Sequence, residues 1–246
     1  MRKVNIFGID YAATDYEGAV SYIFEKVEAK EVCRVFALPV HGVVEYQGNQ
    51  EFQKAVGNAD LIVPDGQPIK WAMNFFHDTQ LSDRVYGPTL MHKILSRADS
   101  QCSRVFLYGG KSQQTLDKLV AYINAEFPSV VICGTYREEL ISDDTLSFDH
   151  LNNARPDLVF VGLGCPNQEK WIDKKSKEGV DAVFFGVGAA FSFYAGELKM
   201  APKWMQNYGL EWLFRLLMEP KRLFKRYFST NTAFIWLVIK RLVAGK

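Results

Sequence analysis

The chain has 246 residues, 48% hydrophobic and 23% charged, with a net charge of +1. That balance excludes a disordered chain, and the length can bury a sizeable core without disulfide or metal staples. The total conceals a split: residues 199–246 hold ten Lys/Arg and two acidic residues, a charge of +8, which leaves the first 198 at −7.

At the start, Asp10 and Asp15 interrupt any signal-peptide core. The first candidate strand is Val4–Gly8, and Thr14-Asp15-Tyr16-Glu17 reads as a capping box opening a helix over Asp15–Ala29. Strands follow at Val35–Pro39, Asp60–Pro64, Arg104–Tyr108, Val130–Gly134, Asp157–Gly162 and Ala182–Gly186. Between them, helical periodicity covers Gln67–Phe76, Thr89–Arg97, Gln113–Phe127, Asp143–Asn153 and Asn167–Glu178. The strands are continuously apolar, as expected of a sheet covered on both faces. The prediction is a doubly wound, Rossmann-like α/β core over residues 1–195 with a mostly parallel sheet. A basic helical appendage, 196–246, follows, with helices over Gly209–Met218, Lys221–Phe228 and Thr232–Leu242 and Pro220 starting the second.

The longest apolar run in the tail, Ala233 to Ile239, is seven residues, well short of the roughly 18 of a spanning helix. The expected location is cytoplasmic, peripheral on the inner face of a membrane. Cys33, Cys102, Cys133 and Cys165 form no CxxC pair and read as buried free thiols in a reducing compartment. Oligomeric state is left open.

In open α/β sheets, ligands sit beyond the carboxyl ends of the strands. Four such ends carry distinctive chemistry. In Val63-Pro64-Asp65-Gly66-Gln67-Pro68 a strand delivers Asp65 to the rim, as a general base or as a helix N-cap, and Gly66 permits an unusual turn. Val161-Gly162-Leu163-Gly164-Cys165-Pro166-Asn167-Gln168 offers Gly164 for close approach and Gln168 for hydrogen bonds to a sugar, or else an ordinary tight turn. Tyr108-Gly109-Gly110-Lys111-Ser112 resembles a phosphate cradle without the P-loop spacing, or is a plain turn. The run at Gly186-Val187-Gly188 leads to Ser192, again with a plain turn as the alternative. Tyr136 is a further substrate-binding candidate beyond its strand.

Arg84 can hold a diphosphate or simply pair with Asp83 on the surface. Arg215, Arg222 and Arg226, seven and four residues apart, share a helical face beside several leucines. That surface suits an anionic membrane or a diphosphate, or the leucines pack and the arginines are solvated. The acidic body argues against nucleic acid. No HExxH, CxxC or Asp-x-Asp occurs and the four histidines lack ligand spacing, so no metal and no cofactor is expected.

Together, VPDGQPIKWA, DRVYGPTLM, VGLGCPNQEKW and GVGAAFSFYAGELKMAPKWMQNYGLEWLFRLLMEPKRLFKRYF resemble the WecG/TagA/CpsF glycosyltransferases, glycosyltransferase family 26, from about Val4 to Leu242. The resemblance implies an inverting transferase moving a hexose or N-acetylhexosamine-type sugar from a UDP-sugar to an undecaprenyl-diphosphate-linked sugar, for bacterial surface polysaccharide. It implies Asp65 as general base, Gln168 as the active-site glutamine, and Arg215, Arg222 and Arg226 on an appendage that closes over the site. There are departures. Where some members carry Thr-x-Asn, this chain reads Ala37-Leu38-Pro39-Val40-His41, making His41 the candidate for that polar role. Thr89 and Ser192 stand where many members have Asp. The rival readings are a nicotinamide-dependent oxidoreductase, disfavoured by the incomplete glycine fingerprint, and a non-catalytic membrane scaffold.

Overall fold

The computed structural model describes residues 1–137 and 144–245, without the side chains of 144–148, Lys203, Asn207 and Arg222. The chain opens with an antiparallel hairpin, β1 (Lys3–Ile6) and β2 (Ile9–Ala12). The expected strand Val4–Gly8 therefore does not join the main sheet. Phe7 and Gly8, with φ of 52° and 97°, reverse the chain at once, whereas a parallel neighbour needs a crossover of about a dozen residues. Helix α1 (Tyr16–Ala29) is capped by Asp15, which accepts from the Gly18 amide at 2.8 Å. The cap thus falls one residue after the expected Thr14.

β3 (Cys33–Leu38) is followed by two helices that periodicity did not resolve, α2 (Val40–Gly48) and α3 (Gln50–Gly57). Then come β4 (Leu61–Pro64), α4 (Gln67–His77), α5 (Gly87–Ser100), β5 (Arg104–Gly109), α6 (Gln113–Glu126), β6 (Val131–Tyr136) and α7 (Asp144–Ala154). Of the expected helix Asp143–Asn153, Asp143 lies outside the described residues. β7 (Leu158–Gly162), α8 (Asn167–Lys175), β8 (Val183–Gly186) and the short α9 (Ala190–Tyr194) complete the core.

Six strands form one all-parallel sheet in the order β4-β3-β8-β7-β5-β6. Alternate strand residues feed two separate cores, as the two-residue side-chain period requires. Val35, Val63, Leu107, Phe160 and Phe185 pack under α1, α5, α6 and α9. Phe36, Ile62, Tyr108, Val161 and Phe184 pack under α3, α4, α8 and the hairpin. Helices on both faces of a parallel sheet make this a doubly wound, Rossmann-like α/β fold. Cys33 is buried, but Cys102 is exposed in the turn after α5, where φ is 51°, contrary to the expected buried thiol.

The appendage comprises α10 (Lys203–Asn207), α11 (Glu211–Met218) and α12 (Pro220–Val243). Pro220 opens α12 as predicted. The two expected helices Lys221–Phe228 and Thr232–Leu242 are one. Ser229, Thr230 and Thr232 do not break it because their hydroxyls donate to carbonyls three or four residues back. Leu223 and Phe234 are buried, and Phe234 meets the Phe7 ring of the hairpin edge-on at 5.6 Å.

Candidate active site

The loops at the carboxyl ends of β3, β4, β5, β7 and β8, with α4, α11 and α12, enclose a cavity of about 1000 Å³. Asp65 lies in its wall at the tip of β4. Gly66, φ 105° and ψ 143°, caps α4 in a conformation open only to glycine, so the helix begins at Gln67, two residues beyond Asp65. Asp65 is therefore not the N-cap that position alone allowed. Its carboxylate is half-buried and reaches the cavity, yet protein surrounds it closely. Burial pushes its pKa up to about 7 from the ordinary 3.8. Arg84, Arg215 and the Gly87 amide pull it down, while Glu211 pushes it further up. A carboxylate poised there suits proton transfer near neutrality.

Arg84 is not the surface residue paired with Asp83 that the cheaper reading expected. It is buried and ion-paired with the equally buried Glu211 of α11. Asp83 instead accepts from the Arg84 backbone amide at 2.7 Å and from Gln67 Nε2 at 3.2 Å. Arg84 also stacks over Tyr86, its guanidinium carbon 4.5 Å from the ring centroid. Sequence reasoning missed Glu211, noted there only as an acidic exception in a basic tail. The signal was that exception itself.

Gln168 is buried and holds two loops together. Its Oε1 accepts from the amides of Gly164, 3.1 Å, and Gly188, 2.9 Å, and its Nε2 donates to Glu169 at 2.9 Å. Gly186 leaves room for it: a Cβ there would lie 2.9 Å from Nε2. Glu169, also missed, is fully buried, and burial pushes its pKa up to about 7. Several amides expected to face a phosphate are spent. The Gly110 amide donates to Gly162 O and the Gln168 amide to Gly164 O, each at 3.0 Å. Ser112, at the end of the expected cradle, caps α6 by accepting from Thr115 at 3.1 Å.

His41, Gly66, Gly110, Gly164, Gly188 and Ser192 all line the cavity. Gly109 does not. It packs on Gly162, where a Cβ would come within 3.0 Å of backbone. Tyr136 does not either: it is buried in the core, stacked on Tyr108 at 5.4 Å. His41 is half-buried with Nδ1 unpartnered, and burial and the Arg226 charge lower its pKa, so the ring is neutral at pH 7.

From α11 and α12, Arg215 and Arg226 also line the cavity. Arg215 lies 5.8 Å from the Phe193 ring and Arg226 5.6 Å from Tyr227. Neither has a carboxylate partner among the described residues, and Arg226 Nε is buried and unpartnered. The side chain of Arg222 lies outside the described residues. Among the described residues there is no cluster of three His, Cys, Asp or Glu able to hold a metal ion. No helix among them is long and apolar enough to cross a membrane.

A Rossmann-like sheet with a carboxylate and arginines lining one cavity leaves the reaction open, because the same fold serves many chemistries. Residues 4–246 match the profile described as the Glycosyl transferase WecG/TagA/CpsF family. The chain belongs to that family and is a glycosyltransferase. It is 33% identical over 231 residues, 93% of this chain and 88% of the relative, to the N-acetylglucosaminyldiphosphoundecaprenol N-acetyl-beta-D-mannosaminyltransferase of Bacillus subtilis (strain 168). It is 32% identical over 178 residues to the protein of the same name from Bacillus spizizenii, covering 72% of this chain and 68% of the relative.

Proposed function

We propose that this protein is an inverting glycosyltransferase moving a hexose or N-acetylhexosamine-type sugar from a UDP-sugar to an undecaprenyl-diphosphate-linked sugar, for bacterial cell-surface polysaccharide. The observation that carries the reading is Asp65, a half-buried carboxylate with a pKa raised to about 7, facing a cavity that Arg215 and Arg226 also line. The names of the two relatives supply the class of lipid-linked acceptor.

Asp65 accepts the proton of the acceptor hydroxyl. The freed oxygen forms its bond to the anomeric carbon as the bond to the nucleoside diphosphate breaks, on the opposite face, inverting the centre. Arg226 and Arg215 meet the diphosphate charge by charge-assisted hydrogen bonds. Neutral His41 contributes a ring nitrogen to a sugar hydroxyl. Gln168 acts as a positioning residue, holding the Gly164 and Gly188 loops in place. α12 exposes Phe224, Phe228 and Trp236 beside Lys221, Lys225 and Lys240. That combination supports peripheral binding to an anionic membrane on the cytoplasmic side.

The test is transfer from UDP- and GDP-sugars to short-chain polyprenyl-diphosphate sugars, with and without EDTA. Transfer from a UDP-sugar with an inverted anomeric product, unaffected by EDTA, is expected. A retained anomer, or no UDP-sugar used, would sink it.

A further inference from the structure

The cavity continues past its polar residues into an apolar trough between α4 and α12. On α4, Gln67, Trp71 and Phe75 succeed one another every four residues on one face, and all three line the cavity. Opposite them on α12 stand Ile235 and Ile239. Trp71 is 53% exposed, Phe75 70%, Ile235 58% and Ile239 52%. The two helices run the same way along the trough. Near Asp65, Gly209 sits against Gln67 and Trp71, and Arg226 influences His41. At the far end, the Arg241 guanidinium lies 4.3 Å from the Phe76 ring and donates to Asn5 O at 3.1 Å.

The chemistry therefore changes in order along one continuous cavity: a carboxylate, then two arginines, then hydrocarbon. From Gln67 to Phe75 the helix rise spans about 12 Å, and from Arg226 to Ile239 about 20 Å. A molecule built as sugar, diphosphate and hydrocarbon chain matches that order. Large apolar side chains left in a concave surface mark a binding site rather than a solvated face. Resting on the transferase reading above, we propose that the trough between α4 and α12 seats the first isoprene units of the acceptor's lipid, with Trp71 and Phe75 on one wall and Ile235 and Ile239 on the other. A second copy of the chain seated there would block the acceptor's route to Asp65. The lipid contacts are thus shared between the appendage and a helix of the catalytic core.

The test uses the full chain and acceptors with one sugar-diphosphate head and water-soluble tails of increasing isoprene number. In the unmodified protein, lengthening the tail is expected to raise kcat/KM about tenfold or more, the effect of burying apolar surface against two aromatic rings. In Trp71→Ser/Phe75→Ser that gain disappears, and in Trp71→Phe/Phe75→Leu, which keeps the apolar walls, it returns. Thermal melts of both variants check that these exposed positions leave the fold intact. A gain that persists in the serine variant overturns the subsite while leaving the transferase reading standing. So does loss of the gain only when vesicles are added, which would assign the trough to the bilayer. So does conversion of an oligomer to a monomer in sedimentation, which would assign it to a second copy. If the unmodified chain transfers to no acceptor of any length, the transferase reading falls and the subsite with it.

Discussion

On the sheet side of the cavity most polar groups are already spent, whereas on the appendage side the arginines keep theirs. Gln168 satisfies the amides of Gly164 and Gly188, Gly110 is tied to Gly162, and Ser112 caps its own helix. Such a wall is rigid and offers one reactive group, Asp65. The appendage commits Glu211 to Arg84 but leaves Arg215 and Arg226 without carboxylates among the described residues. Buried donors left unmade are costly unless something arrives to satisfy them. On the function proposed above, the difference is a division of labour: the core fixes the base and the appendage brings the charge.

The sharpest way to break that division is at Asp65. Asp65→Asn is expected to lower kcat by about a hundredfold or more with donor binding retained by titration calorimetry. Near-normal turnover would remove the base from the sheet side. Next is the joint between the two regions. Glu211→Ala leaves Arg84 buried without its partner, and breaking such a pair costs about 3–5 kcal/mol, read by urea denaturation. It also removes a charge that pushes the Asp65 pKa up. The pH midpoint of residual turnover should therefore fall below about 7; an unmoved midpoint would uncouple the two. A smaller effect is expected at the arginines. Arg215→Gln and Arg226→Gln should each lower kcat/KM about tenfold or more, the value of one charge-assisted hydrogen bond. If both single variants match the unmodified chain, the charge is met from the sheet side after all.

The parts of this molecule governed by local pattern were legible in the sequence. Continuous apolar strands alternating with amphipathic helices specify the doubly wound sheet, and Pro220 marks a helix start. The β1–β2 reversal was not legible, because Phe7-Gly8 is no standard hairpin pair and only the sheet's need for a crossover excludes it. At the candidate site, Asp65 stood out because it directly follows a strand end and Gln168 because it opens the helix after one, places fixed by topology. The surface alternative for Arg84 was not excluded by the sequence because its partner Glu211 lies 127 residues away in the chain. Tyr136 was misplaced for a similar reason: only tertiary stacking on Tyr108 reveals it as core. Spent amides are invisible to motif reading, since a glycine run does not say where its N–H groups point.

The same carboxyl that is proposed as the base should weaken the fold, and this is the finest test of the core's role. The folded pKa of Asp65 is raised to about 7 from an ordinary 3.8. Between those values the folded chain holds more protons than the unfolded one, so stability falls as pH rises through the window and levels off above it. Turnover runs the other way, rising through about 7 as the base ionises. Asn at position 65 has no charge to bury. The Asp65→Asn variant should therefore melt close to the unmodified protein at the low end of the window and a few degrees above it at pH 8. Glu169, its pKa raised by burial to about 7 from 4.5, adds a parallel loss to both proteins and cancels in the comparison. Melting curves that stay superimposed from pH 5 to pH 8 would mean that Asp65 ionises without cost. A carboxyl that ionises freely is solvated, and the rigid, desolvated sheet wall would then have to be given up as the source of its basicity.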